Sequence, residues 1–296
     1  MIVVMGHWYS ESRIACALVL LLLCFVVTIA HFVVEPLRWN RCYLPEDTLL
    51  QLRRNVRDAF FCTALATYLL PFKLGIPLRV VLLRQSGGLA VQTLAVLMTL
   101  DGLVSLIMWS AVTAVTAWLA ALHWNPPWYI WLVALTAALT CVLIVALRRA
   151  LGLRWLSQMR DALALLDRPW RRVCCSAAIL FADVVSYGVR HALIVLLVTG
   201  DFKNMLIGGV AGITATFAGI VSGLPMGLVG YDASLIAVLT LAGIRPDQAL
   251  LVALINRGLN LAAAAVLGIP AAMRLGLGSN IGSIVKRFRE IGNAKL

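Results

Sequence analysis

The dominant pattern along the chain is long apolar runs separated by short basic segments. Residues 14–34, IACALVLLLLCFVVTIAHFVV, are almost wholly apolar and match the roughly 20 residues that a helix needs to span a bilayer. The run is too long for a signal-peptide core and lacks a small-residue cleavage site, so an uncleaved first helix is expected. Residues 88–122, 130–147, 173–199 and 247–273 read as further crossings. Ten-residue stretches of apolar and polar alternation, the mark of a membrane barrel, do not occur in the sequence. The expected fold is an all-α integral membrane protein, a polytopic helical bundle.

Two stretches interrupt this pattern. Residues 59–84 are two short apolar arms joined across Pro71–Pro77, with Gly75 in the turn. Residues 204–243 are two arms joined across Pro225, Gly227 and Gly230. Each reads as a re-entrant hairpin. Backbone groups freed by such breaks are tolerated at membrane depth where they are buried in protein or line a cavity, and in transporters such breaks mark the substrate site. A second break follows each hairpin, Ser86-Gly87-Gly88 or Gly243-Ile244-Arg245-Pro246. A long helix then opens with Gln92 or Gln248 and meets a charge about nine residues later, Asp101 or Arg257. The copies keep register with a shift of two residues. Two internally related halves are expected, about 14–123 and about 173–273, inside one transmembrane domain covering 1–296.

Composition fixes the solvent. A chain that is 62% hydrophobic and only 13% charged could not hide its apolar surface as a soluble domain. The net charge of +12 does not point to nucleic acid, because the basic residues cluster beside apolar runs in the positive-inside manner. Arg38, Arg41, Arg53, Arg54 and Arg57 place 35–58 in a cytoplasmic loop, and the single arginine of 1–13 places the N-terminus outside. The uncharged HWNPPWY at 123–129 reads as an outer interfacial belt. Residues 148–172 and 280–292 read as basic amphipathic helices on the membrane surface, where anionic lipid is their expected partner. The protein is expected in the cytoplasmic (inner) membrane as a multi-pass protein with its C-terminus in the cytoplasm. The seven cysteines form no CxxC pair and read as small buried hydrophobes. No metal-ligand cluster, cofactor motif or ATP-binding loop is recognisable, so neither metal nor cofactor is expected.

The candidate chemistry lies in charges inside apolar runs. Asp183, Tyr187, Arg190 and His191 fall at i, i+4, i+7 and i+8, on one helical face. A charge at mid-membrane costs about 2.5–3.5 kcal/mol on insertion scales, so such a stripe faces a cavity or partner charges. Lys73 and Arg79 lie in the first hairpin, Asp101 in the helix after it, Asp232 in the second hairpin, and Arg257 between two Asn in the helix that follows.

The two broken segments resemble signatures of the transmembrane-region family of lysylphosphatidylglycerol synthases, which includes stand-alone, flippase-like membrane proteins. The first signature is similar to L-P-G-[KR]-L-G-E-x-x-R-x-x-L-L. Residues 70–83 read LPFKLGIPLRVVLL, matching at Pro71, Lys73, Leu74, Gly75 and Arg79 and departing at Phe72 and Ile76. With isoleucine at 76, the glutamate's role does not carry over. The second is similar to L-P-G-G-L-G-x-x-E-A-x-L. Residues 224–235 read LPMGLVGYDASL, with Pro225, Gly227 and Leu228 matching, a glycine displaced to Gly230, and Asp232 where a glutamate would stand. Gly243, Ile244, Ala249 and Arg257 match the segment that follows.

The resemblance implies the moving or presenting of lipids. Two-domain members carry a C-terminal aminoacyl-transferase. This chain ends at Leu296, so lipid aminoacylation is not expected.

The leading expectation is a non-enzymatic membrane lipid translocase for an anionic or phosphate-bearing lipid, such as a phospholipid or lipid-linked sugar carrier. Lys73, Arg79, Arg190 and Arg257 would bind the phosphate, and Asp101, Asp183 and Asp232 would balance them, bind a cationic headgroup or carry a coupling proton. Tyr187 and His191 complete the candidate set. One alternative is a non-transporting scaffold or subunit partnered with a lipid-synthesis enzyme. Another is an intramembrane lipid-modifying enzyme, for which no nucleophile–base or HExxH-type motif is found. Oligomeric state is not legible in the sequence.

Overall fold

The computed structural model describes residues 11–44, 50–69, 75–87, 91–123, 169–221 and 228–277. Among these the regular structure is helical, with no strand. In chain order the α-helices are α1 (Glu11–Cys42), α2 (Leu50–Leu69), α3 (Gly75–Gly87), α4 (Val91–His123), α5 (Pro169–Thr199), α6 (Met205–Val221), α7 (Leu228–Leu241) and α8 (Pro246–Arg274). Helices α1, α4, α5 and α8 are each long and apolar enough to cross a membrane. Their outward faces carry large apolar side chains, such as Leu18 and Leu22 on α1, Phe181 and Val185 on α5, and Leu250 and Leu254 on α8. In lipid such faces need no cover. The chain is an all-α, multi-pass membrane protein, as its apolar runs predict. The expected crossing at 130–147, the surface helix at 280–292 and the breaks at Pro71, Lys73, Pro225 and Gly227 lie outside the described residues.

The first helix departs from expectation. The sequence reading ends it at residue 34 and assigns 35–58 to a cytoplasmic loop, whereas α1 runs through Pro36 to Cys42 and α2 has begun by Leu50. A proline within a helix removes one backbone hydrogen bond. Here the turns beyond it are held by tertiary partners. Arg38 pairs with Asp101 of α4 at 2.7 Å, and Trp39 Nε1 donates to the same carboxylate at 3.0 Å. Arg38 is therefore a buried partner rather than a loop charge. The 148–172 surface helix is also corrected at its end. Residues from Pro169 onward are the first turn of α5, and Arg172 is buried there, donating to the Leu44 carbonyl at 2.6 Å.

Helices α2 and α3 pack on each other at Gly75, and α6 and α7 pack on each other where Gly219 meets Tyr231. At Gly75 a Cβ would lie 2.0 Å from Thr67 Oγ1, so only glycine lets α3 start against α2. Helices α5 and α6 meet through Gly208 and Gly212 against Val195 and His191, the small-residue packing that the GxxxG spacing predicts. The turn from α7 into α8 follows from its residues. Gly243 sits at φ +91, Ile244 N–H bonds back to the Leu239 carbonyl, and Pro246 occupies the first turn of α8.

The long helix that follows each hairpin packs on the first arm of the other: α8 on α2, and α4 on α6. Likewise α1 packs on α8, and α5 on α4, while α1 and α5 pack on each other.

Candidate functional site

The site is built on α5. Its positions 183, 187, 190 and 191 face inward, as the helical spacing predicts, and all four are buried. Arg190 is completely buried. One terminal nitrogen donates to Thr28 Oγ1 at 3.2 Å and Asn260 Oδ1 at 2.8 Å, the other to Asn256 Oδ1 at 2.7 Å, and the guanidinium lies 4.2 Å from the centre of the Tyr187 ring. No carboxylate bonds it among the described residues. Its neighbours are neutral oxygens and a π-face, which stabilise a cation only in part.

Because arginine only donates, it fixes both asparagines with oxygen inward and NH₂ away. The Asn256 NH₂ donates to Tyr231 Oη at 2.9 Å. His191 Nδ1 lies 2.9 Å from the Tyr187 carbonyl, which can only accept, so Nδ1 carries a proton. Tyr231 Oη lies 2.6 Å from His191 Nε2 and already receives bonds from Asn256 and, at 3.5 Å, from Tyr187 Oη. Its own proton therefore goes to Nε2. The Tyr231 hydroxyl is saturated, and its ring is what it offers a ligand.

Above this network lies a cavity of about 240 Å³ between α2, α5, α6, α7 and α8. Thr67 and Tyr68 of α2, Tyr187 of α5, Thr216 and Ile220 of α6, Tyr231 and Asp232 of α7, and Asn256, Arg257 and Asn260 of α8 form its wall. Arg257 Nε donates to Asp232 Oδ2 at 2.7 Å, and a terminal nitrogen of the same arginine contacts that oxygen. Among the described residues, the other terminal nitrogen of Arg257 and the NH₂ of Asn260 have no acceptor, which leaves them as donors for a ligand. The wall is thus aromatic, hydroxyl-bearing and rich in donors.

A model of the lysylphosphatidylglycerol synthase TM region matches residues 11–268. The chain belongs to this family. Among curated proteins and among solved structures, nothing matches it. In this lysylphosphatidylglycerol synthase TM region, the cavity lies between the two hairpins that carry the resemblance, since α2 opens the first and α6 and α7 make the second.

The expected site residues are divided by the fold. Tyr187, Asp232 and Arg257 line the cavity, and Arg190 and His191 lie directly beneath it. Asp183 lies one turn before Tyr187 and pairs with His31 Nδ1 at 2.8 Å. Arg79 and Asp101 do not line this cavity. Arg79 donates to Glu35 at 2.7 Å and Thr63 at 3.1 Å and stacks 4.0 Å over Phe60. Asp101 is held by Arg38 and Trp39. Lys73 is outside the described residues, Gly75 opens α3, and Gly230 lies in the first turn of α7.

The wall residues Tyr68, Tyr231, Asn256 and Asn260 are not among the charges that the sequence singles out. Asn256 and Asn260 carried a signal, an i, i+4 amide pair in an apolar helix. So did Thr28, His31, Glu35 and Arg38, a polar stripe spaced by three and four along α1.

Proposed function

We propose that this membrane protein is a lipid translocase whose cavity receives the phosphate-bearing headgroup of an anionic lipid. One observation carries the reading: an intramembrane cavity whose wall includes Arg257 and Asn260, backed by a fully buried arginine with no bonded carboxylate among the described residues. An anion in the cavity would supply the countercharge that Arg190 lacks, and Arg257 could turn its free nitrogen to a phosphate oxygen. The tyrosine rings give the glycerol or sugar portion an apolar, hydrogen-bonding wall. As part of the same proposal, we place it in the cytoplasmic membrane with its C-terminus cytoplasmic, a reading supported by the clustering of basic residues beside the apolar runs.

The test is transbilayer movement in proteoliposomes of purified protein, offered a fluorescent anionic phospholipid and a polyprenyl phosphate. Wild type is expected to move at least one of them, and Arg257→Ala to slow that movement about tenfold or more, the loss of one charge-assisted contact worth about 1.5–3 kcal/mol. Folded wild-type protein that moves neither lipid overturns the reading and favours a scaffold for a lipid-synthesis enzyme.

The two hairpins belong to related halves that enter the membrane from opposite faces. The exchange in packing supports this, α8 on α2 as α4 on α6, and α1 on α8 as α5 on α4. Single cysteines near Pro71 and near Pro225, in a background freed of native cysteines, are expected to react with impermeant thiol reagents from opposite sides. Reaction of both from one side would overturn the inverted arrangement.

A further inference from the structure

Five carboxylates of the bundle meet partners on other helices among the described residues, and four of those partners are arginines. Glu35 is held by Arg79, Asp58 by Arg274, Asp101 by Arg38 and Asp232 by Arg257. Arginine does not give up its proton in proteins, so each of these carboxylates faces a permanent cation. Asp183 is the exception. It is buried, and the partner of its Oδ1 is His31 Nδ1 at 2.8 Å, an imidazole, which unlike a guanidinium exists both with and without its second proton. The His31 side chain is 28% exposed, so it is not sealed inside the bundle.

The surroundings separate this imidazole from the other buried one. His191 has both nitrogens committed and stands next to Arg190 in sequence and space. His31 has Glu35 one turn further along α1, with Arg79 of α3 already bound to that carboxylate. From α5 it faces Asp183 and the Tyr187 ring, 5.1 Å between centroids, with Arg190 and His191 one turn beyond. From α2, Tyr68 packs on the neighbouring Phe32. The charges of α4 and α8 that lie nearest these helices, Asp101 and Arg257, are taken up by Arg38 and Asp232.

We propose that the His31–Asp183 pair binds the proton that drives lipid movement, an inference that rests on the translocase reading. With one titrating proton the pair is neutral, as imidazolium and carboxylate or as imidazole and carboxylic acid. A second proton makes it imidazolium and carboxylic acid, with net charge +1. That charge sits one aromatic ring from the cavity, because Tyr187 touches His31 on one side and lines the cavity on the other. A protonated pair favours an anionic headgroup in the cavity, and by reciprocity a bound anion favours the proton. Proton and anionic lipid therefore bind and move together. The pair also bridges α1 and α5, so releasing the carboxylate loosens the contact between the two halves.

Two measurements on the full-length protein test this. The first follows the His31 ring by ¹⁵N NMR in detergent. Ring ¹⁵N shifts that respond to pH, and respond differently in Asp183→Asn, are expected, and a ring that does not respond overturns the proton site whatever the lipid assay gives. The second loads proteoliposomes with a pH dye and adds a fluorescent phosphatidylglycerol. Under a gradient of one pH unit, wild type should drive the lipid to about a tenfold asymmetry, the limit for one proton per lipid. His31→Gln and Asp183→Asn should move lipid downhill without asymmetry. Even distribution by wild type, or asymmetry retained in His31→Gln, overturns the coupling and leaves the translocase reading standing. Wild type that moves no lipid overturns the translocase reading, and the coupling with it.

Discussion

Asp101→Ala is expected to destabilise the protein by about 3–5 kcal/mol, the cost of removing one partner from a buried ion pair. Arg38 is 3% exposed and Asp101 9%, and their contact is 2.7 Å. Without the carboxylate, Arg38 keeps, among the described residues, long contacts of 3.3 and 3.4 Å to Ser105 Oγ, and Trp39 Nε1 loses this acceptor. The turns of α1 beyond Pro36 depend on these partners, so the loss extends to the whole Cys42 end of the helix. Thermal unfolding in detergent, read by size-exclusion fluorescence, measures the effect. The exposed Arg245–Asp247 pair, whose side chains are 68% and 51% exposed, is the internal comparison. Asp247→Ala should cost less than about 1 kcal/mol. Equal losses for the two variants would refute a structural role for the Arg38–Asp101 pair. The double change Arg38→Met with Asp101→Leu should recover much of the stability, since apolar replacement of a buried pair is often neutral or better.

The second large effect is at Gly212. A Cβ there would lie 2.2 Å from His191 Cγ and 2.6 Å from its Nδ1. No side chain fits unless the imidazole moves, and moving it breaks the 2.6 Å bond to Tyr231 that closes the floor of the cavity. Gly212→Ala should therefore cost about 1–3 kcal/mol by overpacking and disturb the floor of the cavity. Gly102 on α4 has nothing within 4 Å of the same hypothetical atom. Gly102→Ala should be neutral or stabilising by up to about 1 kcal/mol. A Gly212 variant no less stable than the Gly102 variant would show that α5 and α6 are not locked at this contact.

The apolar runs made the helices legible, because in lipid a stretch of that length has few other conformations open to it. Helices α4, α5 and α8 begin and end within a few residues of the predicted limits. The end of α1 was not legible. Charge density and Pro36 both argue for a loop, and what overrides them is a contact to Asp101, far away in sequence. The stripe on α5 was legible because charges stand out in an apolar run and helical spacing puts them on one face. Which charges meet was not. Asp101 and Arg257 each stand about nine residues after a glutamine at the start of a long helix, yet one is buried against α1 and the other lines a cavity. Uncharged wall residues such as Tyr68 and Asn260 carry too weak a hydropathy signal to be picked out, although the fold gives them direct access to a ligand.

The packing of α2 on α8 has a consequence for biosynthesis. Asp58 of α2 accepts two bonds from Arg274 of α8, at 2.9 and 3.0 Å, across a separation of 216 residues. At a translation rate of about 5–20 residues per second, α2 waits roughly 10–40 s for its partner to emerge. For that time it sits with Arg53, Arg54, Arg57 and Asp58 in its first half. A helix so charged has little reason to enter lipid before α8 arrives. The contact that seats Asp58 therefore forms only after nearly the whole described chain has been made.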